Sequence, residues 1–239
     1  MRAPRFPLMA ALAALLLAGT APPAGAADRA QRKRAETARR IADFADYLRT
    51  NQAAPDQAIP QELLQACRGI LVFRQFKAGL GLGGHGGGGV ALLRRDDGSW
   101  SPPAFFQDGG ASVGLQIGGQ KVEAIHLVMN EDGVRMLLKT RFTVGVDASA
   151  AAGPVGRDAA ARVGPGTAIL SYSRAKGLFA GAKIEGGVMV ANHEANEALY
   201  GPGKGLADIL TDPQTPMPPE AKPLLDALAR YATPPEARE

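Results

Sequence analysis

Two glycine-containing patterns in this 239-residue chain match motifs that carry chemistry. The stretch 79–89, GLGLGGHGGGG, contains the spacing G-x-G-x-x-G, which holds a dinucleotide pyrophosphate where a strand passes into a helix. The stretch 110–114, GASVG, matches the G-x-S-x-G pattern of a nucleophilic serine, which would be Ser112. Both motifs need a helix directly after them, and both are followed by short alternating segments instead. We therefore predict neither a nucleotide site nor a hydrolase, and we do not expect an enzyme.

The histidines and the single cysteine are too dispersed to predict a metal centre. His85, His126 and His193 lie in the glycine stretch, in a strand-like segment and at a helix start, and none has metal-ligand spacing. We expect each to be structural or solvated. Cys67 cannot form an internal disulfide bond, and we expect it to be a small buried apolar residue. The sequence therefore predicts no metal ion and no other cofactor.

The glycines themselves have an alternative role. Gly79, Gly81 and Gly83 alternate, so in an extended strand they share one face. A strand face without side chains permits close approach of another layer, or sharp coiling of the sheet. We therefore interpret the glycine-rich stretch as architectural.

The first 26 residues have the pattern of a secretory signal peptide. Arg2 and Arg5 precede an apolar run of Leu, Ala and Met, and small residues at 24–26 suit cleavage. We predict an exported protein that begins near Ala27 and is periplasmic or secreted. Losing the two arginines lowers the formal charge from +4 to +2, which is too small to indicate nucleic-acid binding.

A basic amphipathic helix is predicted after the signal peptide. Its apolar stripe consists of Ala38, Ile41, Ala45 and Leu48, with Phe44 beside it, and its first half is rich in Lys and Arg. Such a helix either packs on the body of the protein with a solvated charged face, or lies on a membrane surface.

The remaining segments predict an α+β fold. A short helix at 59–67 precedes short β-rich segments that are separated by Gly, Pro, Asp-Gly or Asn, including an Asp97-Gly98 hairpin turn. Further helices are expected after Asn130, after Asn192 and near the C-terminus. We predict a mostly antiparallel, strongly twisted sheet or barrel-like β core, with N-terminal amphipathic helices and short C-terminal helices.

Three stretches resemble the signature blocks of the SYLF-domain family: AAGPVGRDA at 151–159, SYSRAKGLFAGAKIEG at 171–186 and ANEALYG at 195–201. The segments CRGILVF, KAGLGLGG, DGSWSPP and GLQIGGQ fit the family's earlier blocks in the same order. The resemblance divides the chain into a signal peptide at 1–26, a SYLF domain at 27–201 and an extension at 202–239 with one helix and a frayed tail. Within the domain it implies N-terminal helices at 28–67, a glycine-rich β core at 69–191 and a closing helix at 192–200.

The resemblance implies a non-catalytic lipid-binding module. Members of the family are described as binding acidic phospholipids, including phosphoinositides, through basic residues and an amphipathic N-terminal helix, and some eukaryotic members join membranes to actin. Carried over by position, the head-group residues are Arg157, Arg174, Lys176 and Lys183, and the basic helix adds Arg32, Lys33, Arg39 and Arg40. The export signal makes phosphoinositides and actin unexpected partners here.

The sequence leaves two other functions open. A small barrel with bare glycine faces would suit a periplasmic carrier that encloses an acyl chain. Alternatively, an envelope assembly or structural module would use the basic helix to dock a protein partner. The candidate residues also have ordinary interpretations, because Lys176 would be a solvated turn lysine and Arg157 would hold its Gly-Pro turn.

Overall fold

The computed structural model describes residues 24–55, 57–155, 160–177 and 188–233, and among these only the backbone at 24–27, 77, 79–83, 110–118, 160 and 175–177. The helices are α1 (Ala24–Gln52), α2 (Gln61–Ala66), α3 (Glu131–Leu137), α4 (His193–Tyr200), α5 (Leu206–Thr211) and α6 (Lys222–Ala232). The strands are β1 (Gly69–Leu93), β2 (Ala104–Val128), β3 (Arg141–Phe142), β4 (Ala150–Ala152), β5 (Ile169–Gly177) and β6 (Met189–Ala191).

Helix α1 forms where the apolar stripe predicts it. Ile41, Phe44, Ala45 and Leu48 are buried, which confirms their assignment to the inner face. Among the described residues, no helix has both the length and the apolar character needed to cross a bilayer.

Strands β1 and β2 form one long antiparallel hairpin of two 25-residue strands. The sequence predicts several short strands here, but the backbone continues through the glycine-rich stretch without a turn. The register shifts between Leu80 and Leu82, so the ladder is irregular at that point. Glycine therefore acts within the strand, as the architectural interpretation requires, and not as a loop that separates two strands.

The hairpin curls back so that the two halves of β1 meet. A Cβ at Gly87 would overlap the carbonyl oxygen of Arg74, and a Cβ at Gly89 would lie 2.7 Å from the carbonyl oxygen of Val72. Real Cβ atoms do not come so close, so this backbone contact requires glycine. The missing side chains allow one half of the strand to cross directly over the other.

The curled hairpin has two parts, a packed end and a polar end, which differ in their side chains. The packed end comprises 69–73, 89–93, 104–106 and 124–128. The polar end comprises 74–76, 84–88, 107–109 and 119–123, where Arg74, Gln75, His85, Asp108 and Glu123 replace apolar residues.

The other strands complete a six-stranded sheet around β2. On its free edge β2 pairs with β5 through 120–128 and with β6 through 106–108, both antiparallel. β3 adds to β6, and β4 adds to β5 as the parallel pair. This curled, mostly antiparallel sheet with flanking helices confirms the predicted α+β class.

Helices cover both faces of the packed end. Alternate residues of β1, such as Ile70 and Val72, join a core with α1, α2, α4 and α6. The intervening residues Leu71 and Phe73 join a second core with α3 and α5. Because strand side chains alternate between faces, two covered faces produce the nearly continuous apolar runs of the sequence.

Capping and turn residues mark the ends of several short helices and strands. Asn130 and Asn192 accept backbone N–H bonds at the starts of α3 and α4, which confirms them as N-caps. The predicted turn at Asp97 and Gly98 lies between the bridge partners Arg94 and Trp100. Helix α5 has no counterpart in the sequence prediction. Helix α6, within the predicted C-terminal extension, packs into the same core as α1 and α2.

Candidate functional site

Three strands bring basic side chains together at the polar end. Arg74 of β1 and Arg174 of β5 both lie opposite Glu123 of β2 in the two ladders. One step along the same face of β2, Lys121 lies opposite Phe76 of β1, and its backbone partner on β5 is Lys176. Since directly paired residues share a face of the sheet, Arg74, Lys121 and Arg174 form one cationic group. We call these three residues the strand cations.

Glu123 holds two of the strand cations, Arg74 and Lys121, in place. Its Oε1 accepts bonds from Arg74 Nε at 3.0 Å and from Lys121 Nζ at 2.8 Å. Burial acts to raise the pKa of the Glu123 carboxyl, but the hydrogen bond from Lys121 and the charges of Lys121 and Arg74 outweigh it and lower the pKa overall. Glu123 therefore stays ionised at neutral pH and serves as the shared counter-ion.

Helix α1 meets this group along one side. Asp43 Oδ2 accepts a second bond from Arg74, from Nη1 at 2.9 Å. The hydroxyl of Tyr47 donates to the backbone carbonyl of Glu123 at 3.0 Å. The helix thus fixes the guanidinium of Arg74 between two carboxylates.

A groove of about 440 Å³ runs between α1 and the glycine-rich half of β1. It is lined by Arg40, Asp43, Phe44, Arg74, Phe76, Gly86, Gly87, Gly88, Gln107 and Asn192. Two guanidinium groups, amide side chains and glycine backbone offer hydrogen-bond donors, and Phe76 adds an apolar wall. Such a lining suits an anionic group that carries an apolar portion.

Arg40 lies deep in the groove because Gly88 leaves room for it. A Cβ at Gly88 would overlap Arg40 Nη2, and Arg40 Cζ lies 5.6 Å from the ring centre of Phe105. Burial lowers the pKa of Arg40, although the charge of Glu36 partly offsets this effect. The guanidinium keeps its charge, since even a lowered arginine pKa is far above neutral.

A second polar cluster lies at the same end of the hairpin. Gln75 Nε2 donates to Asp108 Oδ2 at 2.5 Å, and His85 Nε2 lies 3.7 Å from Asp108 Oδ1. Oδ1 is buried without a hydrogen-bond partner. Within the described part of the chain, no three His, Cys, Asp or Glu side chains are grouped as a metal site would require.

The other singled-out residues have structural surroundings. His126 is buried, its Nδ1 lies 2.8 Å from Ser171 Oγ, and burial lowers its pKa to about 4, so it is neutral. His193 is exposed at the start of α4. Cys67 is buried, and burial raises the pKa of its thiol to about 11. Ser112 lies within β2, so no helix follows it as the nucleophile pattern requires.

The predicted head-group residues are only partly brought together. Arg174 is a strand cation, and the backbone of Lys176 pairs with Lys121 on the neighbouring strand. Arg40 lines the groove. Arg157 and Lys183 lie outside the described residues. For the remaining helix residues, Arg32 and Arg39 are exposed, whereas Lys33 contacts Glu194 at 3.2 Å and Glu36 at 3.4 Å.

Sequence reasoning missed Arg74, Lys121, Asp43 and Phe76. The segments Arg74-x-Phe76 and Lys121-x-Glu123 each place two residues on one strand face, which is a signal that the sequence does contain. The sequence does not reveal which strands are neighbours, however. Only the register joins these segments into one surface.

The fold and this surface define a class of protein: a curled β-sheet domain, braced by helices, that presents a cationic groove. A comparison with protein families gives a more specific answer. The family described as "Ysc84: Las17-binding protein actin regulator" matches residues 109–231. The chain belongs to this Ysc84 family, whose domain is the SYLF domain, which confirms the resemblance.

Individual relatives match over most of the chain. "Protein YSC84" of Saccharomyces cerevisiae is 33% identical over 205 residues, which cover 83% of this chain and 44% of the yeast protein. "LAS seventeen-binding protein 3" from the same species is 32% identical, with the same coverage. The human "SH3 domain-containing YSC84-like protein 1" is 29% identical over 76% of this chain and 54% of its own length.

The chain spans about half the length of the curated relatives that it matches. No solved structure matches it significantly. The family description and the names of these relatives refer to binding proteins and a regulator, and none of them refers to an enzyme.

Proposed function

We propose that this chain binds acidic phospholipid head groups at a membrane surface, without catalysis, through the groove and the strand cations. The observation that supports the proposal is the register that gathers Arg74, Lys121 and Arg174 around a single buried carboxylate. Arg40 adds a fourth positive charge, and Asp43 and Glu123 offset two of the four. An anionic head group would meet a surface that keeps a net positive charge.

The expected strength of binding follows from these charges. A cation near an anionic bilayer contributes about 1 kcal/mol, and salt weakens the contribution within a Debye length of about 10 Å. Removing two strand cations should therefore lower the vesicle partition coefficient by about thirtyfold.

The test is flotation of the chain with vesicles of phosphatidylcholine, with and without phosphatidylglycerol, at low and high salt. The double variant Lys121→Ala/Arg174→Ala is compared with Arg135→Ala/Lys139→Ala. The control pair removes the same charge from exposed positions at and just after α3, which packs against the other core. Only the first variant should lose binding. The proposal would be overturned if both double variants lost vesicle binding equally. It would also be overturned if the unmodified chain floated equally well with neutral vesicles and with vesicles that contain phosphatidylglycerol.

We also propose that the chain is exported and cleaved near Ala27, so that it meets the membrane from the periplasm or the outside. The support is the charged, apolar and small-residue pattern of 1–26. Intact-mass measurement of the chain expressed in a bacterial host checks this. A mature protein that begins near Ala27 is expected, and a chain that keeps its leader in the cytoplasm would contradict it.

The family description favours a second candidate function, the binding of a protein partner such as an actin filament or a regulator of actin. In this case the cationic surface would meet acidic side chains instead of phosphates. Co-sedimentation with filamentous actin distinguishes the two functions: binding to filaments without binding to anionic vesicles would favour the protein partner.

A further inference from the structure

Phe76 is an aromatic side chain that the fold leaves in solvent. Its residue is 57% exposed, whereas the other described phenylalanines, at positions 44, 73, 105, 106 and 142, are at most 7% exposed. A single exposed apolar residue is common on protein surfaces. The position of Phe76 among the cations is what gives it a specific meaning.

Phe76 lies at the point where the sheet emerges from beneath its helices. On the same face of β1, Ile70 and Val72 are buried in the core with α1 and α2. Arg74 comes next on this face and contacts α1 through Asp43. Phe76 follows Arg74 by two residues, so it is the first residue of this face beyond the cover of the helix.

The neighbours of Phe76 are basic. Lys121 is its ladder partner, and Arg40 and Arg74 line the same groove. An apolar aromatic ring surrounded by cations matches the interfacial region of an anionic bilayer, where the ring contacts acyl chains and the cations contact phosphates. A soluble anion would use the arginines alone and would leave the ring in water.

We infer that the polar end of the hairpin is the surface that meets the bilayer, and that the ring of Phe76 enters the interface between the acyl chains and the head groups. The inference rests on the proposed function and deepens it by assigning the orientation of the bound chain. The strand cations then lie at phosphate level, and α1 lies beside the membrane contact instead of forming it.

Val146 provides a matched comparison. It is 81% exposed, more than Phe76, and lies in the loop between β3 and β4. The adjacent Asp147 carboxylate accepts bonds from Lys139 and from the backbone of Thr143. Exposure alone would favour insertion of Val146, whereas the cationic surroundings favour insertion of Phe76.

The test uses the variants Phe76→Cys and Val146→Cys, each labelled with a polarity-sensitive fluorophore. The native Cys67 is 1% exposed, so the introduced cysteine takes the label. With vesicles that contain phosphatidylglycerol, the label at 76 should shift to shorter wavelength and be quenched by nitroxide-bearing lipids. The label at 146 should not change. Neutral vesicles should affect neither label.

A second variant separates insertion from charge. Phe76→Ala should keep the unfolding midpoint, because the ring is mostly exposed, and should lose about tenfold in partitioning to anionic vesicles, as expected for partial burial of a phenylalanine ring. Free inositol hexakisphosphate should bind the variant and the unmodified chain equally, since a soluble anion does not use the ring.

Different failures have different meanings. If the unmodified chain floats with anionic vesicles but the label at 76 does not respond, the orientation is wrong and the proposed function stands. If the unmodified chain does not bind anionic vesicles, both fail. A label at 76 that responds to filamentous actin and not to vesicles would assign the surface to a protein partner and overturn the inference.

Discussion

The packed end and the polar end of the hairpin consist of the same two strands and have opposite surroundings. At the packed end helices cover both faces, and residues such as Phe105 and Phe106 are completely buried on opposite sides. At the polar end α1 reaches only one side, through Asp43 and Tyr47. The transition is abrupt, because Phe73 is the last core residue of this part of β1 and Arg74 is the next residue.

This difference in surroundings determines whether a buried ionisable group is charged or neutral at each end. At the packed end His126 is desolvated next to Ser171, and burial keeps it neutral. At the polar end Glu123 is also mostly buried, but Lys121 and Arg74 keep it charged. A buried group is neutral where the surroundings are apolar and charged where counter-ions are within reach.

The largest effect is expected at the polar end, where the two halves of β1 cross. Gly87→Ala should lower the free energy of unfolding by about 3 kcal/mol, because the new Cβ would overlap the backbone of Arg74 and force the curled strand apart. Gly86→Ala is the matched control, since a Cβ there would lie 4.0 Å from the carbonyl oxygen of Asp108 and would overlap nothing. Urea denaturation measures both, and equal losses would contradict the close crossing.

The second effect concerns the neutral histidine of the packed end. The folded-state pKa of His126 is about 4, below the ordinary 6.5, so the unfolded chain binds a proton first as the pH falls. This contribution to stability is present above pH 6.5 and is lost as the pH falls towards 4. Between pH 7 and pH 5 the loss should be about 2 kcal/mol by urea denaturation. His126→Gln should remove this pH dependence, and an unchanged slope would show that other groups cause it.

The third effect concerns the counter-ions of the polar end. Asp43→Asn should free one side of Arg74 and raise partitioning to anionic vesicles by about fivefold, which corresponds to about 1 kcal/mol for one charge. Asp46→Asn is the control on the same helix, where the carboxylate bonds to Arg49 instead. If both variants gained equally, net charge and not the geometry of the groove would govern binding.

The smallest effect distinguishes the basic residues of α1, such as Arg32 and Arg34, from the strand cations. Arg34 bonds to Glu220 through two nitrogen atoms, so Arg34→Ala should cost up to about 1 kcal/mol of stability and leave vesicle binding nearly unchanged. Arg32→Ala, at an exposed position of the same turn, is the comparison. Either variant could instead lose vesicle binding almost as strongly as Lys121→Ala/Arg174→Ala does. That result would favour the interpretation in which α1 itself lies on the membrane surface.

The predicted site illustrates the limit of single-sequence reasoning. Clustered charge along α1 suggests a binding helix, yet Lys33 and Arg34 contact Glu194 and Glu220, which are far away in sequence. By contrast, Arg74 and Lys121 lie 47 positions apart in ordinary-looking strands and converge only through the register. The two alternative functions, a periplasmic carrier of an acyl chain and an envelope module that docks a protein partner, stay predictions.

The sequence by itself determined the class of fold, the family, the caps at Asn130 and Asn192, and the inner face of α1. These features depend on local spacing and composition, which a single chain records directly. Only the tertiary structure decided that the glycine-rich stretch continues as one curled strand, that Gly88 admits Arg40, and that Arg74 and Lys121 share Glu123. Strand pairing joins residues far apart in sequence, and the balance of charge and burial at that surface exists only once the strands are in contact.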